Sequence, residues 1–371
     1  MGEYARSLAI ANAVSRRWQD ADIRFVLSRQ APYAADSPFP ATLLASSPTF
    51  HTAAVIELLT TLRPDVVIFD NAGRTAQLRA ARRVGARVVY ISARPRQRRK
   101  AFRWRWMRLI DEHWIAYPEF IAGRLRLFER LKLKLLRRPT VRHLDVILSR
   151  AEPAQRAAIL ARAGVAADSY VLVVPGGGTG HPGARDAVSR FAAAARSLAA
   201  GTRSGGACSA ASPATGDAVA AGVPIVFVGG TGAGSGVVVA TDVANATAAA
   251  SDSNWHPLGA LPQADLAELM RSARLIVANG GSTLLQAIAC GKACVAVPIA
   301  QDQAQRVRRC VAAGVAVGAT LDAANIARTV ERLLQNEPRR SALARSAAEL
   351  GLADGVELAM RALGDLLAGK T

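Results

Sequence analysis

The sequence predicts an α/β protein of two domains, each built on a parallel sheet with helices on both faces. Short runs rich in Val and Ile alternate with amphipathic stretches, which is typical of parallel strands connected by helices. The alternation is interrupted near residue 150 and then starts again, and 371 residues are too many for one ordinary core. We therefore expect an N-terminal domain at residues 1–149 and a C-terminal domain at residues 150–371, joined between Ser149 and Glu152.

In the N-terminal half, short apolar runs mark the strands and stretches with helical periodicity mark the helices. The predicted strands are Ile23–Leu27, Asp65–Asp70, Arg87–Ile91, Trp114–Ala116 and Asp145–Leu148. The predicted helices are Ser7–Arg17, Thr52–Leu62 and Thr75–Val84. An open α/β domain usually begins with a strand, whereas this chain begins at a turn, Gly2–Arg6. We expect a missing first strand upstream; the alternative is that the first strand is supplied differently.

The C-terminal half repeats the alternation of strands and helices. The predicted strands are Tyr170–Val174, Pro224–Val228, Arg274–Ala278 and Ala293–Val297. The predicted helices are Glu152–Ala163, Ala184–Ala199, Gln263–Ser272, Ser282–Cys290 and Gln301–Ala313. Two stretches, 201–222 and 230–254, are rich in Gly, Ala, Ser and Thr and have few large apolar residues. We expect both to be mobile loops inserted between elements.

The formal net charge of +19 is concentrated in one part of the chain. Residues 94–145 contain sixteen Lys and Arg but five Asp and Glu, which gives +11 for this segment. Such a surface suits anionic lipid, nucleic acid or a phosphorylated acceptor. The alternative is a genome that favours Arg and Ala throughout. The sequence contains no nucleic-acid-binding motif that would support nucleic acid as the partner.

Two parts of the basic segment interleave cations with Trp or Leu, namely Phe102–Arg108 and Arg124–Arg138. This pattern suits a membrane interface, and we expect that residues 94–138 contact an anionic membrane. A solvated surface is the alternative, and the alternating Leu and Lys of residues 131–135 also fit a half-buried strand.

No apolar run approaches the ~20 residues of a membrane span, and no signal peptide is visible. The four cysteines lack metal-ligand spacing. We expect a cytoplasmic protein without membrane spans that lies at the inner face of the membrane.

The first motif with chemical content is the Gly-rich loop of Val173–Gly183, which follows a buried strand and precedes a helix. Backbone N–H groups of such a loop can approach a diphosphate closely, and the helix start adds a positive dipole end. The candidate binding residues here are Gly177, Gly178, Thr179 and His181. Plain tight turns also use glycine, so His181 is a diphosphate contact or an ordinary turn residue.

The second motif runs from Leu275 to Lys292 as strand, Gly-rich turn and helix. Gly280 and Gly281 allow a ligand close to the backbone, while Ser282 and Thr283 stand at a helix start that suits phosphate oxygens. One turn further lies Gln286, and the loop after the next strand carries Asp302 and Gln303. Loops at the carboxyl ends of parallel strands are where open sheets bind ligands.

This order of elements resembles the donor half of GT-B glycosyltransferases, which have two Rossmann-like domains facing a cleft. It is closest to the MurG-like family, which adds N-acetylglucosamine to a lipid-linked acceptor. The resemblance covers residues 170–317 and, more weakly, residues 2–13 and 65–91. It implies that the last helix, expected at Arg339–Leu367, returns to the first domain.

The resemblance also implies roles for individual residues. Leu261 takes the place whose backbone meets the uracil base, and residues 280–283 take the place of the diphosphate loop. Asp302 and Gln303 resemble the pair that holds the donor sugar's hydroxyls. Gln286 stands where the family usually has a Glu that binds the ribose, so it retains hydrogen bonding but loses the charge.

At the N-terminus, Gly2–Ala9 resembles the family's loop Gly-His-x-x-Arg, with Glu3 in place of the histidine. An inverting transfer needs a general base for the acceptor hydroxyl, and Glu3 and Asp70 are the two candidates. Alternatively, Glu3 merely favours the start of a helix. No set of residues suggests a metal, and no cofactor is expected.

These observations predict transfer of a sugar from a nucleotide-diphosphate donor, most simply a UDP sugar, to an acceptor that is lipid-linked or anionic. One alternative is a nucleotide-sugar hydrolase or epimerase of the same fold. Another is an inactive GT-B-like binding protein.

Overall fold

The computed structural model describes residues 2–31, 33–35, 37–149, 152–176, 184–201, 222–229 and 254–369. The chain divides into two compact units. The first unit comprises Met1–Ile147 together with Leu352–Thr371, and the second comprises Leu148–Gly351. None of the helices in the described ranges is long and apolar enough to cross a membrane.

The first unit alternates strands and helices. Its elements, in chain order, are α1 Gly2–Arg17, β1 Phe25–Ser28, β2 Ala41–Leu44, α2 Thr52–Leu62, β3 Val66–Asp70, α3 Thr75–Arg83, β4 Arg87–Ser92, α4 Pro95–Ala101, α5 Trp104–Met107, β5 Glu112–Ile115, α6 Glu119–Ala122, α7 Leu127–Leu136 and β6 Thr140–His143.

The second unit continues the same alternation, and the chain then returns to the first unit with one helix. Its elements are α8 Pro153–Ala163, β7 Val171–Val174, α9 Ala184–Gly201, β8 Ile225–Val228, β9 Trp255–Leu258, α10 Gln263–Ser272, β10 Leu275–Asn279, α11 Ser282–Ala289, β11 Cys294–Val297, α12 Gln301–Ala312, β12 Val317–Gly318, α13 Ala323–Leu334 and α14 Glu337–Glu349. The returning helix is α15 Gly355–Leu367.

The main sheet of the first unit is parallel, with the strand order β3-β4-β5-β6, while β1 and β2 form a separate parallel pair. Because successive side chains of a strand point to opposite faces, β4 contributes to two cores. Val89 and Ile91 pack with α1 and α15, whereas Val88 and Tyr90 pack with α2 and α3. Burial on both faces explains why β4 is apolar without alternation.

The sheet of the second unit has six parallel strands in the order β12-β11-β10-β7-β8-β9. On one face, Val173, Val277 and Val295 join a core with Phe191 of α9 and Val330 of α13. The intervening strand residues are also buried, so this sheet too is covered on both faces. The predicted α/β architecture is confirmed, and most predicted elements begin and end within two residues of the observed ones.

Four predictions about local structure were wrong. The predicted turn Gly2–Arg6 is the start of α1. The predicted strand Asp145–Leu148 is absent, since β6 lies earlier and Val146 forms an isolated bridge; Asp145, at φ +47°, bends the chain out of the extended conformation. The region Arg339–Leu367 contains two helices, because Gly351 at φ +55° ends the first and the Asp354 side chain caps the second. The strand alternative for residues 131–135 fails, because they belong to α7.

Candidate functional site

Three neighbouring strands of the six-stranded sheet, β11, β10 and β7, end at the same edge because all are parallel. The loops after them contain Pro175 and Gly176, then Gly280–Thr283, then Pro298–Gln303. The sheet therefore brings together the segments on which the sequence motifs lie, within the second unit alone. Gly177, Gly178, Thr179 and His181 lie outside the described residues.

Asn279, the last residue of β10, connects two of these loops, and sequence reasoning missed it. Its side chain is buried; Nδ2 donates a hydrogen bond to the Pro175 carbonyl at 2.7 Å, and Oδ1 accepts one from the Gly281 N–H at 2.8 Å. A polar residue that ends an apolar strand and precedes two glycines was the available signal. The Asn279 side chain thus fixes the backbone of the Gly280–Thr283 loop.

Two glycines in these loops are required by close packing. A Cβ at Gly280 would lie 2.7 Å from Val307 Cγ2 and 2.9 Å from Gln303 Cβ. Gly176 has φ +84°, and a Cβ there would lie 2.1 Å from Asn279 Nδ2. The loops approach each other so closely that any side chain at either position would displace its neighbours.

The Gly280–Thr283 loop leads directly into α11. The residue before this helix, Gly281, has no side chain to cap it, so the N–H groups of the first turn have no side-chain cap. Ser282 is exposed and Thr283 is half-buried in that turn. Backbone N–H groups, two hydroxyls and the positive dipole end of α11 can bind an anion there.

The residues predicted to bind the rest of a nucleotide sugar lie on α10, α11 and α12 or just before them. Gln286 is half-buried on α11, and its Nε2 donates to Gln263 Oε1 at 3.4 Å. Gln263 begins α10, two residues after the half-buried Leu261. Asp302 is exposed in the first turn of α12.

Gln303 differs from the other residues predicted to bind the rest of the nucleotide sugar, because its side chain is buried. Its Oε1 accepts a hydrogen bond from the Ile299 N–H at 3.0 Å, which holds the loop after β11. Arg306, which was also not predicted, donates from Nη1 to the Gly280 carbonyl. Gln303 and Arg306 therefore connect α12 to the loops at this edge, and Arg306 adds a cation beside the Gly280–Thr283 loop.

A second group of polar residues lies in the first unit, where α1 begins and β3 ends. Arg6 donates to Asp70 through Nε at 3.1 Å and through Nη2 at 2.6 Å, and Ser7 Oγ donates to Asp70 Oδ2 at 3.0 Å. Burial raises the pKa of the Asp70 carboxyl, while the Arg6 guanidinium and the Ser7 hydroxyl act in the opposite direction. Both oxygens of Asp70 are thus engaged by α1.

Glu3, the other predicted base, is about half exposed. Its Oε1 accepts a hydrogen bond from Asn71 Nδ2 at 2.8 Å and lies 3.8 Å from Arg94 Nη2. Asn71 has φ +53°, and its Oδ1 accepts a hydrogen bond from the Ala93 N–H at 2.7 Å. The geometry places Glu3 and Asp70 in one group, in which Asn71 orients Glu3 and leaves that carboxylate open to solvent.

Within the described ranges, no cluster of three or more His, Cys, Asp or Glu is arranged to hold a metal ion. His113 is fully buried on β5, where its Nε2 lies 2.8 Å from Ser92 Oγ. Burial, with smaller contributions from Arg98 and His143, lowers the pKa of His113 to about 3. His113 is therefore a neutral core residue, away from solvent.

Comparison with known proteins agrees with this architecture. Residues 233–350 match the family model of glycosyl transferases group 1. The chain is similar to the crystal structure of MurG from Acinetobacter baumannii, with TM-score 0.59 and 16% identity over 97% of this chain and 95% of that one. No match was found among curated proteins.

Two further solved structures have the same architecture. A UGT transferase from Siraitia grosvenorii in complex with UDP has TM-score 0.60 and 13% identity over 98% of this chain and 96% of that one. A putative UDP-N-acetylglucosamine 2-epimerase from Listeria monocytogenes has TM-score 0.55 and 14% identity over 96% and 92%. At these identities the likeness shows the fold, so the chain has the GT-B fold of two Rossmann-like domains.

Proposed function

We propose that this protein is a glycosyltransferase that moves a sugar from a UDP-type donor, bound by the second unit, to an acceptor bound by the first. The observation that carries the proposal is the Gly280–Thr283 loop, which Asn279 orders and which ends in the uncapped start of α11. This anion-binding arrangement lies within residues 233–350, the part that matches the glycosyl transferases group 1 model.

We assign the remaining donor contacts to residues of the second unit near the same edge of the sheet. The backbone at Leu261 would meet the base, and the Gln286 amide would bind the ribose hydroxyls. Asp302 is exposed and would bind the hydroxyls of the donor sugar. Gln303 is buried, and its role in this proposal is to position the loop after β11. UDP as the nucleotide is supported by the similar Siraitia structure, which is a complex with UDP, and by the putative Listeria epimerase, which is named for a UDP sugar.

The proposed reaction forms one bond and breaks one. The acceptor hydroxyl oxygen bonds to the anomeric carbon, the bond from that carbon to the diphosphate oxygen breaks, and its electron pair leaves with the diphosphate. N–H groups of the Gly280–Thr283 loop and the dipole of α11 stabilise the departing charge. In an inverting transfer, the hydroxyl proton passes to a carboxylate of the protein.

Glu3 is our choice for that carboxylate. It is exposed and oriented by Asn71, while both oxygens of Asp70 already accept hydrogen bonds from Arg6 and Ser7. Asp70 then holds α1 in place. A lipid-linked or anionic acceptor is supported by the excess of cations in residues 94–138 of the same unit.

Thermal stabilisation by nucleotides tests the donor site. UDP, UDP-N-acetylglucosamine, GDP and TDP sugars would each be added at about 100 times an expected dissociation constant. A ligand of the native state then stabilises it by roughly 2.7 kcal/mol. A shift with uridine nucleotides alone supports the proposal, and no shift with any nucleotide contradicts it and favours an inactive protein.

A matched pair of variants assigns the binding to α11. Thr283→Ala removes a hydroxyl from the first turn of α11, whereas Thr329→Ala removes one from the middle of α13. We expect UDP affinity to fall about tenfold in the first variant and to remain unchanged in the second. Equal UDP affinity of Thr283→Ala and the native protein would remove this loop from the site.

A hydrolase or epimerase is the second candidate, since the chain shares its fold with a putative epimerase. Product analysis of a UDP sugar distinguishes the two. Turnover that depends on added acceptor indicates transfer, whereas release of free sugar or formation of an epimer without acceptor indicates the alternative.

A further inference from the structure

Helix α7 presents an exposed apolar stripe on the first unit. Leu127 and Phe128 are each 76% exposed, Leu135 is 70% exposed and Leu131 is 60% exposed. Their spacing of three and four residues places them on one side of the helix. A contiguous exposed stripe of large apolar side chains is unusual on a protein surface and marks an interaction site.

Cations border this stripe. Arg126, Arg130 and Lys134 are exposed on or beside α7. Lys132 is half-buried; its Nζ donates to the Phe102 carbonyl at 3.1 Å and lies 5.7 Å from the ring centre of Trp104. Trp104 is 43% exposed, so an aromatic ring extends the surface beside the helix.

Most acidic side chains of this region point inward. Glu129, the acid of α7, is buried against Arg98 at 2.7 Å. Asp111 is buried between Arg82 and Arg138, and the fully buried Glu112 pairs with Arg142. The exposed acid Glu119 pairs with Arg124 at 3.1 Å. The stripe therefore lies in a positive field.

The structure also shows which part of the basic segment, residues 94–138, has exposed apolar side chains. Phe102, Trp106 and Met107 are buried, so Trp104 is the apolar residue of Phe102–Arg108 with a large exposed fraction. Trp106 donates from Nε1 to Thr75 Oγ1 at 3.0 Å, which fixes it to α3. The surface for contact is consequently α7 with Trp104, and the aromatic residues around it belong to the core.

We propose that this α7 surface, formed by Leu127, Phe128, Leu131, Leu135, Trp104 and the flanking Arg126, Arg130 and Lys134, docks on an anionic lipid bilayer. Apolar side chains on one side of a helix with cations at the margins suit the headgroup region, where Leu and Phe enter the acyl boundary and cations meet phosphates. A second copy of the chain fits less well, because two such faces carry the same charge. The inference is independent of the proposed sugar transfer, since it rests on this surface alone.

Flotation of the full chain with vesicles tests the proposal. The probes are mixed phosphatidylcholine–phosphatidylglycerol vesicles and pure phosphatidylcholine vesicles. Two double variants change the surface, Leu131→Gln with Leu135→Gln and Arg130→Glu with Lys134→Glu. Two controls make the same changes at exposed positions elsewhere on the first unit, Leu62→Gln with Leu367→Gln and Arg16→Glu with Arg29→Glu.

We expect the native chain to float with the anionic vesicles and not with the neutral ones. Each α7 double variant should reduce the partition coefficient at least about tenfold, while each control stays within about twofold of native. Native-like binding by the Leu131→Gln, Leu135→Gln variant would overturn the proposal, because cations alone would then explain the adsorption. A native dimer that the same variant converts to a monomer would also overturn it, in favour of a second copy.

Discussion

Arg6 on α1 and Asp70 at the end of β3, sixty-four residues apart, are joined by two hydrogen bonds of 2.6 and 3.1 Å. Both side chains are largely buried, with 8% and 11% of their surfaces exposed. The pair attaches the start of α1 to the edge of the four-stranded sheet. It thereby fixes the position of Glu3, one helical turn before Arg6, which is the residue we propose as the base.

Replacement of Asp70 by Ala should destabilise the first unit by about 3 kcal/mol, because it leaves the Arg6 guanidinium buried without an anion. Urea unfolding followed by tryptophan fluorescence measures this, since four of the five tryptophans, Trp18, Trp104, Trp106 and Trp114, belong to the first unit. The control is Asp22→Ala, which breaks the exposed Asp22–Arg24 pair and should cost about 0.5 kcal/mol or less. Equal losses in both variants would mean that the buried pair does not anchor α1.

Replacement of Glu3 by Gln should reduce kcat at least about 100-fold while the free energy of unfolding changes little. Gln retains an oxygen that can accept the hydrogen bond from Asn71 but cannot accept the proton of an acceptor hydroxyl. The donor KM should remain near the native value, because the donor is proposed to bind the second unit. Glu57→Gln, an exposed change on α2, serves as the control for loss of one negative charge. Native kcat in Glu3→Gln would exclude Glu3 as the base.

Replacement of Asn279 by Ala should weaken UDP binding at least about tenfold and reduce stability by about 1–3 kcal/mol. The variant loses the hydrogen bonds that hold Pro175 and Gly281, so the Gly280–Thr283 loop is no longer fixed. Asn336→Ala is the control: Asn336 caps α14 by accepting a hydrogen bond from the Arg339 N–H at 2.9 Å, so its loss costs about 1 kcal/mol but should spare UDP affinity. Calorimetric titration with UDP separates the two. A similar UDP affinity in both variants would contradict the role given to Asn279.

The sequence was sufficient for the strands and helices that bury a continuous apolar run or a periodic face. Strand β4 and helix α10 are examples, because burial on both faces of a sheet or along one helix side leaves a strong pattern. It was insufficient for β2 and β9, which are half-buried and short, so their residues carry no clear alternation. The break at Gly351 was also missed, since a single glycine within a helical pattern does not reveal a positive φ.

The same contrast holds for the candidate site. Gly280–Thr283 could be predicted because Gly-Gly-Ser-Thr after a buried strand has a direct physical meaning. The polar residue Asn279 at the end of an apolar strand was a signal in the sequence, but its hydrogen bond to Pro175 could not be predicted, since Pro175 is more than one hundred residues away in the chain. The burial of Gln303 could not be predicted either. Gln303 directly follows the exposed Asp302, and only the packing of α12 makes one side chain buried and the other exposed.

Stability of the first unit should fall with acidity through His113. Its pKa of about 3 in the folded chain lies below the ordinary value of 6.5, so the unfolded chain binds the proton more readily. The stabilisation is therefore complete above pH 6.5 and is lost progressively as the pH falls towards 3. Between pH 7.5 and 5 the loss should be about 2 kcal/mol, at roughly 1.4 kcal/mol per pH unit below the unfolded pKa.

The variant His113→Gln has no imidazole to protonate and should lack this part of the pH dependence. Urea unfolding at both pH values, again followed by tryptophan fluorescence, should show that its stability deficit relative to the native chain shrinks by about 2 kcal/mol from pH 7.5 to 5. Thr60→Ala, an exposed change on α2 that removes no titratable group, is the control and should retain the native pH dependence. A stability deficit of His113→Gln that stays constant with pH would contradict the argument. If burial keeps His113 neutral, the free energy of unfolding of the native chain must fall as the pH falls, because only the unfolded chain takes up the proton.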